Sequence, residues 1–221
     1  MVSKITRMAV LLVLSIGAAG CGMVSAASPL LPMPATDEAP APGAGLRTAV
    51  LAGGCFWGIQ DVFQHVKGVV SATSGYAGGT AATAHYEIVS SGTTEHAESV
   101  RITYDPTKIS YGQLLRVFLA VGHDPTELDR QGPDTGVQYR SVIFYRDPEQ
   151  QRVAEAYLAQ LRDAKSFARP IVTRVTPLKT FYEAEGYHQD YARRHPSDLY
   201  IVYNDAPKVE HLQKEFPALY Q

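Results

Sequence analysis

Apolar and polar positions change period several times along the chain, and each change predicts an element. Residues 47–52 contain Thr48-Ala49-Val50-Leu51, a continuous apolar run ending in glycines, which predicts a first, buried strand. Beyond Gly53 and Gly54, the residues Ile59, Val62, Phe63 and Val66 recur at i, i+3, i+4 and i+7. That spacing predicts an amphipathic helix to about Val66, stopped at Gly68. A second strand is expected over 69–76, then a glycine-rich loop through Gly78 and Gly79, with 80–94 mostly loop. Val100, Ile102 and Tyr104 alternate with Ser99, Arg101 and Thr103, the signature of a half-buried strand.

Ser110 with Gln113 forms a capping box ahead of the helical face Tyr111, Leu114, Leu115 and Phe118. A polar loop over 122–138 precedes a strand over 139–145 centred on Val142-Ile143-Phe144. Asp147, Pro148 and Gln150 open a long helix that buries Ala154, Tyr157, Leu158 and Leu161. A fourth strand is expected over 171–175, and aromatic-rich helical pieces over 181–194 and 208–216. Alternating elements with some hairpin-like spacings predict an α+β fold, a mixed β-sheet with helices packed on it.

The N-terminus follows another pattern. Lys4 and Arg7 precede an almost wholly apolar stretch over 8–20, too short to span a bilayer as a mature helix, so residues 1–20 are expected to be a secretory signal peptide. Ala18-Ala19-Gly20-Cys21 is similar to a bacterial lipoprotein cleavage site, with Cys21 the lipidated residue. Val24-Ser25-Ala26 is the alternative site, which would release a soluble periplasmic or secreted protein. Pro29, Pro32, Pro34, Pro40 and Pro42 among alanines and glycines make 21–45 a disordered Pro/Ala-rich linker, leaving 46–221 as the folded domain. The expected location is the cell envelope, on the periplasmic side, with the lipid as the sole membrane contact.

Composition narrows the function. The net charge is −2 with no block of basic residues, which gives no nucleic-acid footprint. Two cysteines cannot build a disulfide framework. The seven histidines lack paired metal-ligand spacing, so neither a metal nor a bound cofactor is expected. What remains is Leu51-Ala-Gly-Gly-Cys-Phe-Trp-Gly58. Cys55 is the sole cysteine of the domain, and Trp57 the sole tryptophan of the chain. A strand-to-helix turn places Cys55 in or beside the first helical turn, where free N–H groups and the helix dipole favour a thiolate and lower the thiol pKa. A small buried hydrophobe is the other reading of a lone cysteine.

Several further motifs stand in order. They are His85-Tyr86, His96-Ala97-Glu98, Tyr104-Asp105-Pro106, His123-Asp124-Pro125, Gln138-Tyr139-Arg140-Ser141 and Tyr187-His188-Gln189-Asp190-Tyr191. With Gly54-Cys55-Phe56-Trp57-Gly58 and Gly75-Tyr76-Ala77-Gly78-Gly79, they make the chain from about Arg47 onward resemble peptide methionine sulfoxide reductase A. The resemblance implies a two-layer α/β sandwich with a ferredoxin-like core. It also implies reduction of the S epimer of methionine sulfoxide, free or in oxidised proteins, and so protein repair. Cys55 would attack the sulfoxide sulfur and become a sulfenic acid, with Glu98 as the acid. Tyr86 and Tyr139 would hydrogen-bond the sulfoxide oxygen, Phe56 and Trp57 would hold the methyl group, and Asp134 would orient the site.

The chain departs from many family members in having no cysteine after Tyr200. Cys55 is therefore expected to be regenerated by an external thiol reductant, a thioredoxin-like protein or a small thiol, and the protein is expected to act as a monomer. Two rival readings remain: a cysteine–histidine hydrolase or acyltransferase using His188 as base, and a non-enzymatic peptide-binding lipoprotein.

Overall fold

A computed structural model describes residues 30–39, 43 and 45–221. The signal peptide over 1–20, both cleavage sites and Cys21 lie outside the described residues. In chain order the elements are β1 (Arg47–Ala52), α1 (Phe56–Gln64), β2 (Val69–Ala77), α2 (Tyr86–Val89), β3 (Ala97–Tyr104) and α3 (Tyr111–Val117). They continue with β4 (Arg130–Gln131), β5 (Asp134–Thr135), β6 (Val142–Tyr145), α4 (Pro148–Asp163), β7 (Arg174–Pro177), β8 (Phe181–Glu183), α5 (Tyr191–Arg194) and α6 (Ala206–Glu215).

Six strands form one mixed sheet in the order β7-β6-β1-β3-β2-β8, antiparallel except for the parallel pair β6 and β7. Its middle, β6-β1-β3-β2, with α1 and α3 as crossovers, is the ferredoxin-like core. β1 reads as an apolar run because both its faces are covered. Ala49 and Leu51 join Val100, Ile102 and Ile143 under the helices, while Val50 and Ala52 pack with Ala77, Ala97, Val142 and Phe144 on the opposite face. The local helix signals hold. Ser110 and Gln113 close their capping box on α3, and the Asp147 carboxylate accepts from the backbone N–H groups of Glu149 and Gln150 at the start of α4.

Four expectations are corrected. Residues 30–39 are not a free linker: they run as an extended strap across α3, α4 and the start of β1. Leu31 is buried, and the Tyr157 hydroxyl donates to Pro32 O at 2.9 Å. Asp37 accepts from the Ser110 hydroxyl and from Gly112 N at 2.8 Å, and Glu38 accepts from Arg47 and from the Tyr104 hydroxyl. Tyr139 belongs to a 3₁₀ turn over Val137–Tyr139, with the strand starting only at Val142, because Gly136 at φ +140° turns the chain first. The strand expected at 171–175 begins instead at Arg174, since Val172 N donates to Pro125 O rather than to the ladder. The piece over 181–194 is not one helix: Phe181–Glu183 pairs with the edge of β2, and only Tyr191–Arg194 is helical, after Asp190 at φ +55°.

Candidate active site

The site is assembled where β1 ends, β3 begins and α1 starts. Gly54 makes the turn at φ +100°, a conformation that L side chains avoid, and Gln131 packs where a Cβ would stand. Cys55 follows as the N-cap of α1, beside its first turn, and it is 7% exposed. The nearby Trp57 backbone N–H and the Lys208 ammonium favour the thiolate, but burial and the neighbouring Glu98 and Asp205 carboxyls outweigh them. The Cys55 thiol is thus pushed well above its ordinary value. The expectation of a lowered pKa is corrected on this point: desolvation wins over the helix end. Cys55 rests as a thiol at neutral pH.

Glu98 is supplied by the second residue of β3, fully buried, with Oε2 accepting from Phe56 N at 3.1 Å. That bond ties the carboxyl to the residue after the cysteine. Burial, reinforced by Asp134 and Asp205, raises Glu98 to about 8 despite the Phe56 N–H, so it carries a proton at neutral pH. A protonated acid beside a buried thiol can donate to a leaving oxygen.

Tyr86 and Tyr139 approach from two separate segments. Glu185 holds the first, accepting from Tyr86 N at 2.9 Å and from the Tyr76 hydroxyl at 2.8 Å, which pins α2 to β2. Arg140 holds the second, donating to the carbonyls of Val137, His96 and Glu95 and so clamping the Tyr139 turn to the entry of β3. Burial raises both phenols, and both feel the Glu98 and Cys55 charges. Their hydroxyls stand protonated and without a side-chain partner among the described residues, free to donate to a ligand oxygen.

The aromatic wall is built on Phe56 and Trp57. Phe56 is buried against Tyr76 and His188, with ring centroids 5.9 and 5.0 Å away. Trp57 stacks on Tyr191 at 3.8 Å, and its indole N–H donates to His188 Nδ1 at 3.2 Å. His188 thus gives Nδ1 to tryptophan and burial lowers its pKa, which makes it a support for the wall; among the described residues no hydrogen bond joins it to Cys55, the pairing a cysteine–histidine hydrolase requires. Asp134, on β5, accepts a hydrogen bond from the Tyr200 hydroxyl, which joins the β4–β5 hairpin to the C-terminal segment.

The structure thus places Phe56, Trp57, Glu98, Tyr86 and Tyr139 around Cys55, while Asp134 stands farther out, bonded to Tyr200 and acting on Glu98. Sequence reasoning missed Glu185, Tyr191, Tyr200, Asp205 and Lys208. Tyr191 and Tyr200 lie in the tyrosine-rich C-terminal third, the one available signal; the charged residues look like ordinary surface groups until the chain is folded.

The family model of peptide methionine sulfoxide reductase matches residues 47–219. The chain is 57% identical over 184 residues to a peptide methionine sulfoxide reductase MsrA 2 of Mesorhizobium japonicum, an alignment covering 83% of this chain and 93% of that protein. It is 46% identical over 201 residues to the MsrA 2 of Synechocystis, covering 90% and 94%. Among solved structures it is similar to methionine sulfoxide reductase A of Corynebacterium diphtheriae, with a TM-score of 0.60 and 36% identity over 71% of this chain and 78% of that one. Mxr1 of Saccharomyces cerevisiae in its reduced form gives a TM-score of 0.62 at 31% identity, over 71% and 89%. The family model and these relatives show that the chain belongs to the peptide methionine sulfoxide reductase family and is an enzyme that reduces methionine sulfoxide.

Proposed function

We propose that reduction proceeds through Cys55, on methionine S-sulfoxide either free or in oxidised proteins. The observation that carries this reading is the protonated Glu98 bonded to Phe56 N, directly beside the only thiol among the described residues. The Cys55 sulfur attacks the sulfoxide sulfur. Glu98 gives its proton to the sulfoxide oxygen, which would otherwise leave as a poor oxide, and the thiol proton replenishes the acid. Tyr86 and Tyr139 donate to that oxygen as charge develops on it. Phe56 and Trp57 hold the methyl group, and Asp134 orients the site through Tyr200. The protonated oxygen leaves the substrate sulfur and bonds the Cys55 sulfur as the sulfur–sulfur bond breaks, so methionine departs and Cys55 becomes a sulfenic acid. Two equivalents of an external thiol, or one dithiol of the thioredoxin type, then return Cys55 to the thiol with release of water and a disulfide.

The envelope location belongs to the same reading. The apolar N-terminal stretch and Ala18-Ala19-Gly20-Cys21 support export and lipidation at Cys21. Residues 22–29 separate that cysteine from the docked strap, a reach of at most about 29 Å for a fully extended chain.

Cys55→Ser is expected to abolish turnover of methionine S-sulfoxide, and measurable turnover in that variant would overturn the assignment. Single-turnover mass spectrometry without reductant is expected to find one added oxygen on Cys55. A Cys21–Cys55 disulfide instead would defeat external regeneration. Incorporation of labelled fatty acid, lost in Cys21→Ala, checks the anchor.

A further inference from the structure

A second charged pair lies directly against the catalytic helix. The π-helical turn Ile201–Asp205 delivers Asp205, and α6 starts with the next residue. Asp205 is 0% exposed; its Oδ1 accepts from Lys208 Nζ at 3.0 Å, and its Oδ2 has no partner among the described residues. The Lys208 side chain is 18% exposed. Both groups press on Gly58, three residues after the nucleophile. A methyl group at Gly58 would collide with Asp205 Oδ1 and come within 2.8 Å of Lys208 Nζ. A glycine inside a helix and an ion pair taken out of water are each unfavourable on their own. Here they coincide, and each makes sense of the other: the glycine leaves room for the pair, and the pair sits where it can act on the first turn of α1.

The charges facing Cys55 come from every side. Glu98 approaches from β3, and behind it Asp134 on β5 acts on Glu98. The phenols of Tyr86, Tyr139, Tyr191 and Tyr200 approach from α2, the 3₁₀ turn, α5 and the segment before the π turn. His188 is a neutral imidazole. Asp205 and Lys208 complete the ring, and Lys208 is the one cation acting on Cys55 among the described residues. The problem this solves is chemical. Attack on sulfur needs Cys55 to give up its proton as Glu98 passes its own to the oxygen, and the acidic neighbours that keep Glu98 protonated also oppose the thiolate. A cation placed on the helix side of the cysteine favours only the first.

We propose that Lys208, seated by Asp205 against Gly58, is a positioning residue whose ammonium supplies the positive potential that lets Cys55 ionise for attack. Asp205 acts in the opposite sense on the thiol while holding Lys208 in place. Burial and the Asp205 charge raise the Cys55 pKa, and Lys208 opposes them; Asp134 and His123 also feel the same ammonium. The proposal rests on Cys55 as the nucleophile, and its test reads the thiol itself, so that a failure of the catalytic assignment and a failure of the proposal give different results.

The experiment is the pH profile of Cys55 alkylation by iodoacetamide in the full chain, read on the Cys55 peptide by mass spectrometry. Lys208→Met is expected to move the thiol pKa up by about one unit, a loss of roughly tenfold in alkylation rate at pH 7. The kcat for methionine sulfoxide falls similarly and KM stays close to wild type, while Lys208→Arg restores most of both. Asp205→Asn is expected to move the thiol pKa down. A structural role alone would move both single variants together, and that result overturns the proposal. Lys208→Met leaves Asp205 buried and unpaired, so the double variant Lys208→Met/Asp205→Asn is compared with Asp205→Asn to isolate the cation without a stranded charge. The double variant must show the higher thiol pKa; identical profiles for the two overturn the proposal.

Discussion

Glu98 and Cys55 share one problem, the placement of a proton in a site closed to water. In the unfolded chain Glu98 titrates near 4.5, and in the folded protein near 8. Between those values the folded state holds a proton that the unfolded state has lost. The stability contributed by Glu98 is complete below about pH 4.5 and disappears as the pH rises through about 8. Glu98→Gln cannot ionise. Its melting temperature is therefore expected to gain on wild type across that window and to match it at the acid end, as calorimetry at several pH values would show. Parallel melting curves at all pH values would contradict the buried, protonated acid. Catalysis moves the other way: the variant is expected to lose about 10²–10⁴-fold in the sulfoxide-reduction step, the usual range for a general acid. Wild type should slow above about pH 8 as Glu98 ionises, whereas the variant should show no such limb in rapid-mixing experiments.

The elements that carry these residues differ in how openly the sequence announces them. α1, α3 and α4 were legible because their signals are local: the i, i+3, i+4 spacing of Ile59, Val62 and Phe63, the Ser110–Gln113 box and the Asp147–Pro148 start. β3 was legible from alternation, and Glu98 takes its place in that strand. The failures share a cause, backbone claimed by distant partners. Phe181–Glu183 has helical-looking neighbours but is drawn to the free edge of β2, and Tyr139 is held in its turn by what Arg140 finds across the loop. Asp205 and Lys208 look like an exposed i, i+3 pair, and only the fold buries them. The second cap on α3 is another case, because Asp37 lies 73 residues from Ser110 and no local pattern links them. Its carboxylate meets the Ser110 hydroxyl and the Gly112 N–H at the helix start, where negative charge is favourable. Asp37→Ala is expected to cost about 1–2 kcal/mol, read from urea unfolding, with Asp37→Asn recovering part of it. A variant as stable as wild type would show that the Ser110–Gln113 box suffices alone.

At the scale of the whole molecule the strap and the site occupy opposite ends of the central strands. β1 enters at Arg47, which pairs with Glu38 of the strap, and leaves at Ala52, just before the Cys55 turn. β3 runs back from Glu98 in the site to Tyr104, whose hydroxyl donates to the same Glu38. Five residue steps of extended chain, about 17 Å, separate the two ends. The arrangement separates stability from catalysis in a measurable way. Leu31 is the strap's buried apolar residue, and its carbonyl accepts from Arg116 Nε at 2.6 Å. Leu31→Ala is expected to lower stability by about 2 kcal/mol, the lower end for an apolar truncation at the margin of a core. Turnover of methionine sulfoxide well below the melting temperature should remain within twofold of wild type, because neither end of the Cys55–Glu98 pair touches the strap. A loss of kcat/KM in proportion to the loss of stability would mean that the two ends of β1 are mechanically coupled, and that the strap sets the geometry of the catalytic turn.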